Sequence, residues 1–331
     1  MEEREMTFAA MGRVEAIKSL FEGTPYKPFE EPLWFFPENG AAVTTASCVF
    51  TEGIDFDLKY FPLKHLGYKS VVQTVGELYA VMAKPRTLAV TISISAKLDY
   101  PQAAEIWSGI ISAATEFGFK SVSLDLRPSR TGLLVSISVS GEASKASCER
   151  RSKAESKDLI CVSGHLGAAY LGQQLLEHRF QDLDKYKMQA AAYLRPELAA
   201  NTIERLEQAG ICPSFGYFLK AGLADAVLRL TRDSGLGAKI YADKIPFEGN
   251  SFALGKELDI DPVSAAMNGG DDSSLLFTIP LAQYESFRHD FQDFNIIGHL
   301  AQSNVVAVLV TPEGVELPLK AQGYLNEAET L

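Results

Sequence analysis

Residues 268–280 read Asn268-Gly-Gly-Asp-Asp-Ser-Ser-Leu-Leu-Phe-Thr-Ile-Pro280. Gly269 and Gly270 let a backbone pass close to a ligand, Asp271 and Asp272 follow, and the apolar run 275–279 predicts a buried strand that holds the loop in place. An Asp in such a loop also satisfies backbone donors by itself. The pair therefore reads either as part of a binding site or as the loop's own fastening.

Beyond this loop the pattern predicts strands at 294–299, 304–310 and 315–319. Before it come a helix at about 221–234, stopped by Gly235, and a strand at 238–242. Further back lie a buried strand at 159–162, the glycine turn Ser163-Gly-His165-Leu-Gly167, and helices at about 168–178, 184–193 and 196–209. Residues 143–157 are polar and poor in apolar side chains, which marks a domain boundary.

The first half predicts a helix over 7–22 and two apolar runs, 33–36 and 41–50, around the hairpin signal Asn39-Gly40. A helix over 62–83 follows, with Pro62 in its first turn and Leu66, Val71, Val75, Leu78 and Met82 as its apolar positions. Then come a strand at 87–95, a helix at 101–117, and strands at 121–126 and 133–140. No Rossmann Gly-x-Gly-x-x-Gly, Walker-type glycine loop or short repeat interrupts the series. The expected fold is α+β in two domains, 1–150 and 151–331.

A net charge of -11 opposes nucleic-acid and anionic-membrane partners. The four cysteines, Cys48, Cys148, Cys161 and Cys212, are widely spaced, which points to reduced thiols rather than a zinc or redox motif. No run approaches the ~18 apolar residues of a membrane span, and the acidic start Met-Glu-Glu-Arg-Glu-Met6 lacks a signal core. The expected location is the cytoplasm.

Several stretches, in order, resemble thiamine-monophosphate kinases of the aminoimidazole-ribonucleotide-synthetase (AIR synthase-related) superfamily. They are Glu52-Gly-Ile-Asp-Phe-Asp-Leu58, Pro62-Leu-Lys-His-Leu-Gly-Tyr-Lys69, Asp158-Leu-Ile-Cys-Val-Ser-Gly164, Leu166-Gly-Ala-Ala-Tyr170, the Gly269-Gly270 loop and Leu319-Lys-Ala-Gln-Gly-Tyr324. The resemblance implies an AIR-synthase-like fold: an N-terminal α/β domain that pairs with its copy, a C-terminal α+β domain, and nucleotide in the cleft between them. It also implies ATP and Mg2+ as cofactors if the family activity is retained.

The family's metal-binding carboxylates can be followed residue by residue. Its Gly-Asp-Asp corresponds to Glu30-Glu31-Pro32, and the Asp of its Thr-Thr-Asp to Cys48. Its helical Ser-Asp corresponds to Gly76-Glu77, and its Gly-Gly-Asp to Ser123-Leu124-Asp125. The family motif Asp-x-Ser-Asp-Gly-Leu reads Phe218-Leu-Lys220-Ala221-Gly-Leu223, and the Tyr-Glu of its glycine loop reads Ser273-Ser274. A thiol is a poor magnesium ligand. On this resemblance Glu31, Glu77 and Asp125 are the metal candidates. Asp125, Arg151 and Lys220 are the nucleotide candidates, and Asp55, Asp271, Asp272 and Tyr324 the substrate candidates.

Each has a plainer reading beside it: Asp125 as a turn cap, Glu77 as an ion-paired helix face, His65 and His165 as structural residues, and Cys48 as a small buried hydrophobe. The cations Arg127, Arg130, Arg150, Arg151 and Lys220 read either as a metal-free site for a phosphorylated or carboxylated molecule or as solvated surface charge. Losing several metal ligands at once removes useful turnover. The expectation is accordingly a catalytically degenerate, small-molecule-binding or regulatory homodimer, or a partner of an intact paralogue. The alternative is an active ATP-dependent kinase of thiamine monophosphate or a related small phosphate, with Glu31, Glu77, Asp125, Asp271 and Asp272 holding magnesium in a rearranged site.

Overall fold

The apolar run that begins at Pro62 folds as one long helix, and the molecule is organised around it. The computed structural model describes residues 13–25, 41–144, 154–178 and 183–321. The first elements are α1 (Arg13–Phe21), β1 (Ala41–Thr51), α2 (Leu63–Ala80), β2 (Lys84–Ser95), α3 (Tyr100–Glu116), β3 (Ser121–Ser129) and β4 (Leu134–Ser144). Then follow β5 (Leu159–Ser163), α4 (Ala168–Glu177), α5 (Lys187–Leu194), α6 (Thr202–Gln208), β6 (Gly216–Phe218), α7 (Leu223–Ser234) and β7 (Gly237–Tyr241). The rest comprises α8 (Ser251–Leu258), α9 (Pro262–Asn268), β8 (Leu275–Ile279), α10 (Tyr284–Asp290), β9 (Phe294–Ala301), β10 (Val308–Val310) and β11 (Glu316–Pro318).

The early strands form a four-stranded sheet in the order β1-β4-β2-β3. β4 is antiparallel to both neighbours, and β2 runs parallel to β3. That parallel pair needs a crossover, which α3 supplies. Asp99 starts α3 with a capping box, accepting from the Gln102 amide while the Gln102 side chain returns to its own. On β4, Val135, Ile137 and Val139 are buried while Ser136, Ser138 and Ser140 take the other face, the period of two expected of a half-covered strand. β3 outruns its predicted end through Pro128, a residue that an edge strand tolerates.

The later strands form a seven-stranded sheet, β11-β10-β7-β9-β5-β8-β6, with only the β7–β10 pair parallel. α2 contacts β1 and β4 of the first sheet and β6 and β8 of the second. From Leu66 to Ala80 every residue except Glu77 is buried. This continuous burial explains why α2 is apolar almost all round. One core cluster accordingly runs from Val135 and Ile137 through Val71 and Val75 to Phe218, Phe277 and Phe294.

α2 crosses α3 closely, because Gly67 and Gly109 have no side chains. A Cβ at Gly67 would lie 2.0 Å from the Ile106 carbonyl oxygen, and one at Gly109 would lie 1.9 Å from that of Lys64. Predicted helices and strands within the described residues recur near their expected places, with α6 starting later, at Thr202, and β10 confined to Val308–Val310 of the expected 304–310. β6, α8, α9 and α10 were not anticipated; each is eight residues or fewer, too short for a decisive periodic signal. The helix residues before Arg13, the 33–36 run and the Asn39-Gly40 turn lie outside the described residues.

Candidate functional site

Lys69, Gln73 and Glu77 stand at i, i+4 and i+8 of α2, so they share one helix face. They form a polar stripe along a helix that is buried over most of its length, and Asp271 and Ser273 of the 269–274 loop meet it. The Asp271 carboxylate pairs with the Lys69 ammonium and accepts from Gln73 Nε2 at 2.6 Å. Gln73 Nε2 also reaches Ser273 Oγ at 2.9 Å. Asp271 and Ser273 hold φ of 67° and 54°, in the left-handed region that side chains other than glycine rarely enter. The network on α2 holds them there.

Lys69 is buried, with its ammonium 3.7 Å from the Tyr193 ring centroid and 5.4 Å from that of Phe61. Burial draws its pKa below the usual lysine value, while Asp271 and Asp55 pull the other way. Asp55 is fixed by the Thr51 amide, which donates to its carboxylate at 2.7 Å. Its carbonyl accepts from Tyr193 Oη at 3.1 Å. Asp272 turns to the start of α4, where its carboxylate accepts from the Gly167 amide at 2.9 Å and more weakly from Ala169 at 3.4 Å. Burial pushes its pKa up to about 8 against the pull of those amides.

The second part of the site begins where the Asp271 amide donates to the Lys220 carbonyl at 2.9 Å. The Lys220 ammonium contacts Cys48 Sγ on β1 and stands 5.7 Å from the Phe50 ring centroid. Glu77 is partly buried. Burial raises its pKa, opposed by the charges of Arg229 and Lys220 and assisted by Asp225. Next to it the Phe218 ring fills the space beside Gly76, where an added Cβ would lie 2.2 Å from two ring carbons. Phe218 is buried, and with Gly76 it packs like any other part of the core.

Asp55, Glu77, Lys220, Asp271 and Asp272 are thus gathered along one side of α2 and the loops that meet it. Asp125 is not gathered there within one chain. It lies on β3, at the opposite edge of the sheet from β1, three strand spacings or roughly 14 Å from the Cys48 row. Its half-exposed carboxylate pairs with Arg127 at 2.7 Å, so Arg127 stays away from Lys220 as well. His165 pairs with Glu248 at 3.2 Å on an exposed turn. Glu31, Arg150, Arg151 and Tyr324 lie outside the described residues.

Divalent magnesium wants several hard oxygen ligands. Around the Lys220 ammonium stand a thiol, a phenyl ring and one carboxyl, that of Glu77, and a single carboxyl beside a cation does not fit that ion. Among the described residues no three of His, Cys, Asp and Glu converge as a metal site.

Residues 33–143 match the model of the AIR synthase related protein, N-terminal domain. The thiamine-monophosphate kinase of Pyrococcus horikoshii is 27% identical over 266 residues, covering 78% of this chain and 81% of the relative. A solved structure described as AaThiL complexed with AMPPCP and TMP superposes with a TM-score of 0.83 at 19% identity, covering 98% of this chain and 100% of the other. Residues 33–143 thus match the N-terminal domain of AIR synthase related proteins, and the chain as a whole is thiamine-monophosphate-kinase-like. Its two-domain AIR-synthase-like fold is shared more widely: the hydrogenase maturation protein HypE in complex with ATP superposes with a TM-score of 0.65 at 15% identity, covering 97% of each chain.

Within this kinase-like chain, Lys69, Gln73, Tyr193 and the Gly76–Phe218 contact were not picked out from the sequence. The first two carried a usable signal, polar residues four apart on a helix with no exposed face. No helix among the described residues is long and apolar enough to cross a membrane.

Proposed function

We propose that this thiamine-monophosphate-kinase-like chain binds a small phosphorylated ligand in the cleft along α2, using the Lys220 ammonium at the locus where its relatives' pattern calls for carboxylates, and that it is impaired in metal-assisted phosphoryl transfer. The observation that carries the reading is the joint occupation of that locus. Cys48 Sγ meets Lys220 Nζ, and Phe218 seals the gap left by Gly76. Phosphoryl transfer between anions relies on metal ions to gather the charge of the transferring group. A single lysine supplies one positive charge and three donors, enough to hold a phosphate and too little to replace two divalent ions.

In this reading residues 1–150 and 151–331 are the two domains, the first pairs with a copy of itself or with an intact paralogue, and the protein works in the cytoplasm as a binding or regulatory protein. Magnesium and ATP are then dispensable.

A second reading is favoured by the carboxylates that remain in the cleft and by the names of the relatives. It makes the chain an active ATP-dependent kinase of thiamine monophosphate or a related small phosphate. Glu31, Glu77, Asp125, Asp271 and Asp272 are then the oxygen donors for magnesium, with Asp55 and Tyr324 toward the substrate and Arg151 toward the phosphates. A coupled ADP-release assay with thiamine monophosphate, ATP and magnesium separates the two. The first reading expects turnover at background, and sustained turnover that Asp271→Asn abolishes establishes the second.

A further inference from the structure

Away from the cleft, a cavity of about 220 Å³ opens where the first turn of α2 meets α3 and the end of α5. It is lined by Lys64, His65, Tyr68, Gly109, Ser112 and Arg195. The close α2–α3 crossing at Gly109 shapes one wall. Three of the six lining residues are basic and none is acidic, on a chain whose net charge is -11. Among the described residues neither Lys64 nor Arg195 takes part in an ion pair.

Like charges packed around one space repel unless a counter-ion joins them. Burial and the charges of Arg195 and Lys64 together lower the His65 pKa. His65 Nδ1 is shut off from solvent and has no hydrogen-bond partner. The acids of the neighbourhood are engaged elsewhere or stand outside the lining. Glu116 of α3 accepts from Tyr68 Oη at 3.0 Å, and Glu197 acts on the same phenol. Arg195 lies over the Tyr68 ring at 5.5 Å, which fixes the guanidinium plane beside the cavity. α2 also starts without a side-chain cap, so its positive end is not neutralised by one of its own residues.

We propose that this cavity is a second binding site, separate from the cleft, for a single small phosphate-type oxyanion held by Arg195, Lys64 and protonated His65 with the Ser112 hydroxyl. A guanidinium fork and an ammonium are the groups suited to such an anion. The volume decides the size class. Pockets for drug-sized ligands span roughly 300–1,000 Å³, so this one admits a lone phosphate or the head of a phosphomonoester and excludes a nucleotide. The anion favours the charged imidazole, so it raises the His65 pKa and binds more tightly as pH falls through the histidine range.

The full chain labelled at its histidines is titrated with inorganic phosphate, and separately with methyl phosphate, at constant ionic strength, following the His65 ring resonances by NMR. The expected result is a saturable shift with an upward-moving His65 pKa, weakened at least tenfold by Lys64→Ala and by Arg195→Ala and largely restored by Arg195→Lys. Saturation by inorganic phosphate alone assigns the site to the free ion, and saturation by both assigns it to a phosphomonoester head. A non-saturable drift, or a response of equal strength in Lys64→Ala, overturns the site. Lys64 is exposed, so that variant keeps the test valid even if Arg195→Ala unfolds. Neither residue belongs to the cleft, and the turnover and binding results there leave this test untouched.

Discussion

Two lysines flank the Asp271 loop from different elements and keep different company. Lys69 rises from the middle of α2 into a full set of partners: the Asp271 carboxylate, the Tyr193 ring and the nearby charge of Asp55. Lys220, just after β6, meets a thiol, and the carboxyl that acts on it, Glu77, is pushed toward its neutral form by burial. A buried ion pair fully supplied with partners fastens one element to another. A cation facing soft and apolar neighbours keeps binding capacity for something else. The contrast supports the proposed division of labour, with Lys69 fastening the fold and Lys220 offered to a ligand.

The comparison breaks first at Lys69. Removing one member of a buried pair leaves the other uncompensated and costs about 3–5 kcal/mol. Lys69→Met is expected near the lower end, because Asp271 is 28% exposed and recovers some water. Urea unfolding measures it, and Lys69→Met with Asp271→Asn should be more stable than Lys69→Met alone. A cost below 1 kcal/mol would remove the architectural role.

Next in size is the Gly76–Phe218 contact. Gly76→Ser drives a side chain into the ring, and overpacking of this kind costs about 1–3 kcal/mol. Combining it with Phe218→Ala should yield a coupling of at least ~0.5 kcal/mol in a double-mutant cycle, because the two positions share one space. Strict additivity would mean the ring does not fill that gap in solution.

Lys220→Ala sharpens the contrast from the other side. It should leave the urea midpoint close to that of the parent and weaken binding of thiamine monophosphate about tenfold, roughly 1.4 kcal/mol. The reverse pattern, with stability lost and affinity kept, would exchange the roles of the two lysines.

A different kind of effect, read against pH rather than at one pH, belongs to Asp272. Burial pushes its carboxyl up to about 8 from the ordinary aspartate value of 3.8, so the native state holds this proton more tightly than the unfolded one. The stability it contributes is full below about pH 4 and is lost as pH climbs toward 8, with a slope of at most about 1.4 kcal/mol per pH unit. Asp272→Asn should flatten stability against pH over that window, and an unchanged slope would show that the Gly167 and Ala169 amides keep the carboxylate charged.

Much of the fold was legible because its decisive elements are long or sharply bounded. The run before Pro280 folded as β8 between the predicted residues, and α2 declared itself by fifteen residues of apolar pattern around Pro62 and Leu66. β6 was not legible, since three residues carry no period. Of the site, Asp271, Asp272, Glu77 and Lys220 came from matching loops to a family; Asp271 docks on α2 while Asp272 turns to the start of α4. Within one chain Asp125 stands apart from them, because consecutive residues say nothing about β1 and β3 taking opposite edges of the sheet. Gly76 and Phe218 are far apart in sequence, so only folded geometry reveals that one was left bare for the other.

The most direct test is calorimetric titration with AMPPCP and with thiamine monophosphate, each in excess EDTA and in millimolar magnesium. The expected result is that thiamine monophosphate binds with the same affinity in both buffers, that Lys220→Ala weakens it, and that magnesium gains nothing for AMPPCP. Binding that vanishes in EDTA, returns with magnesium and survives Lys220→Ala would contradict the account.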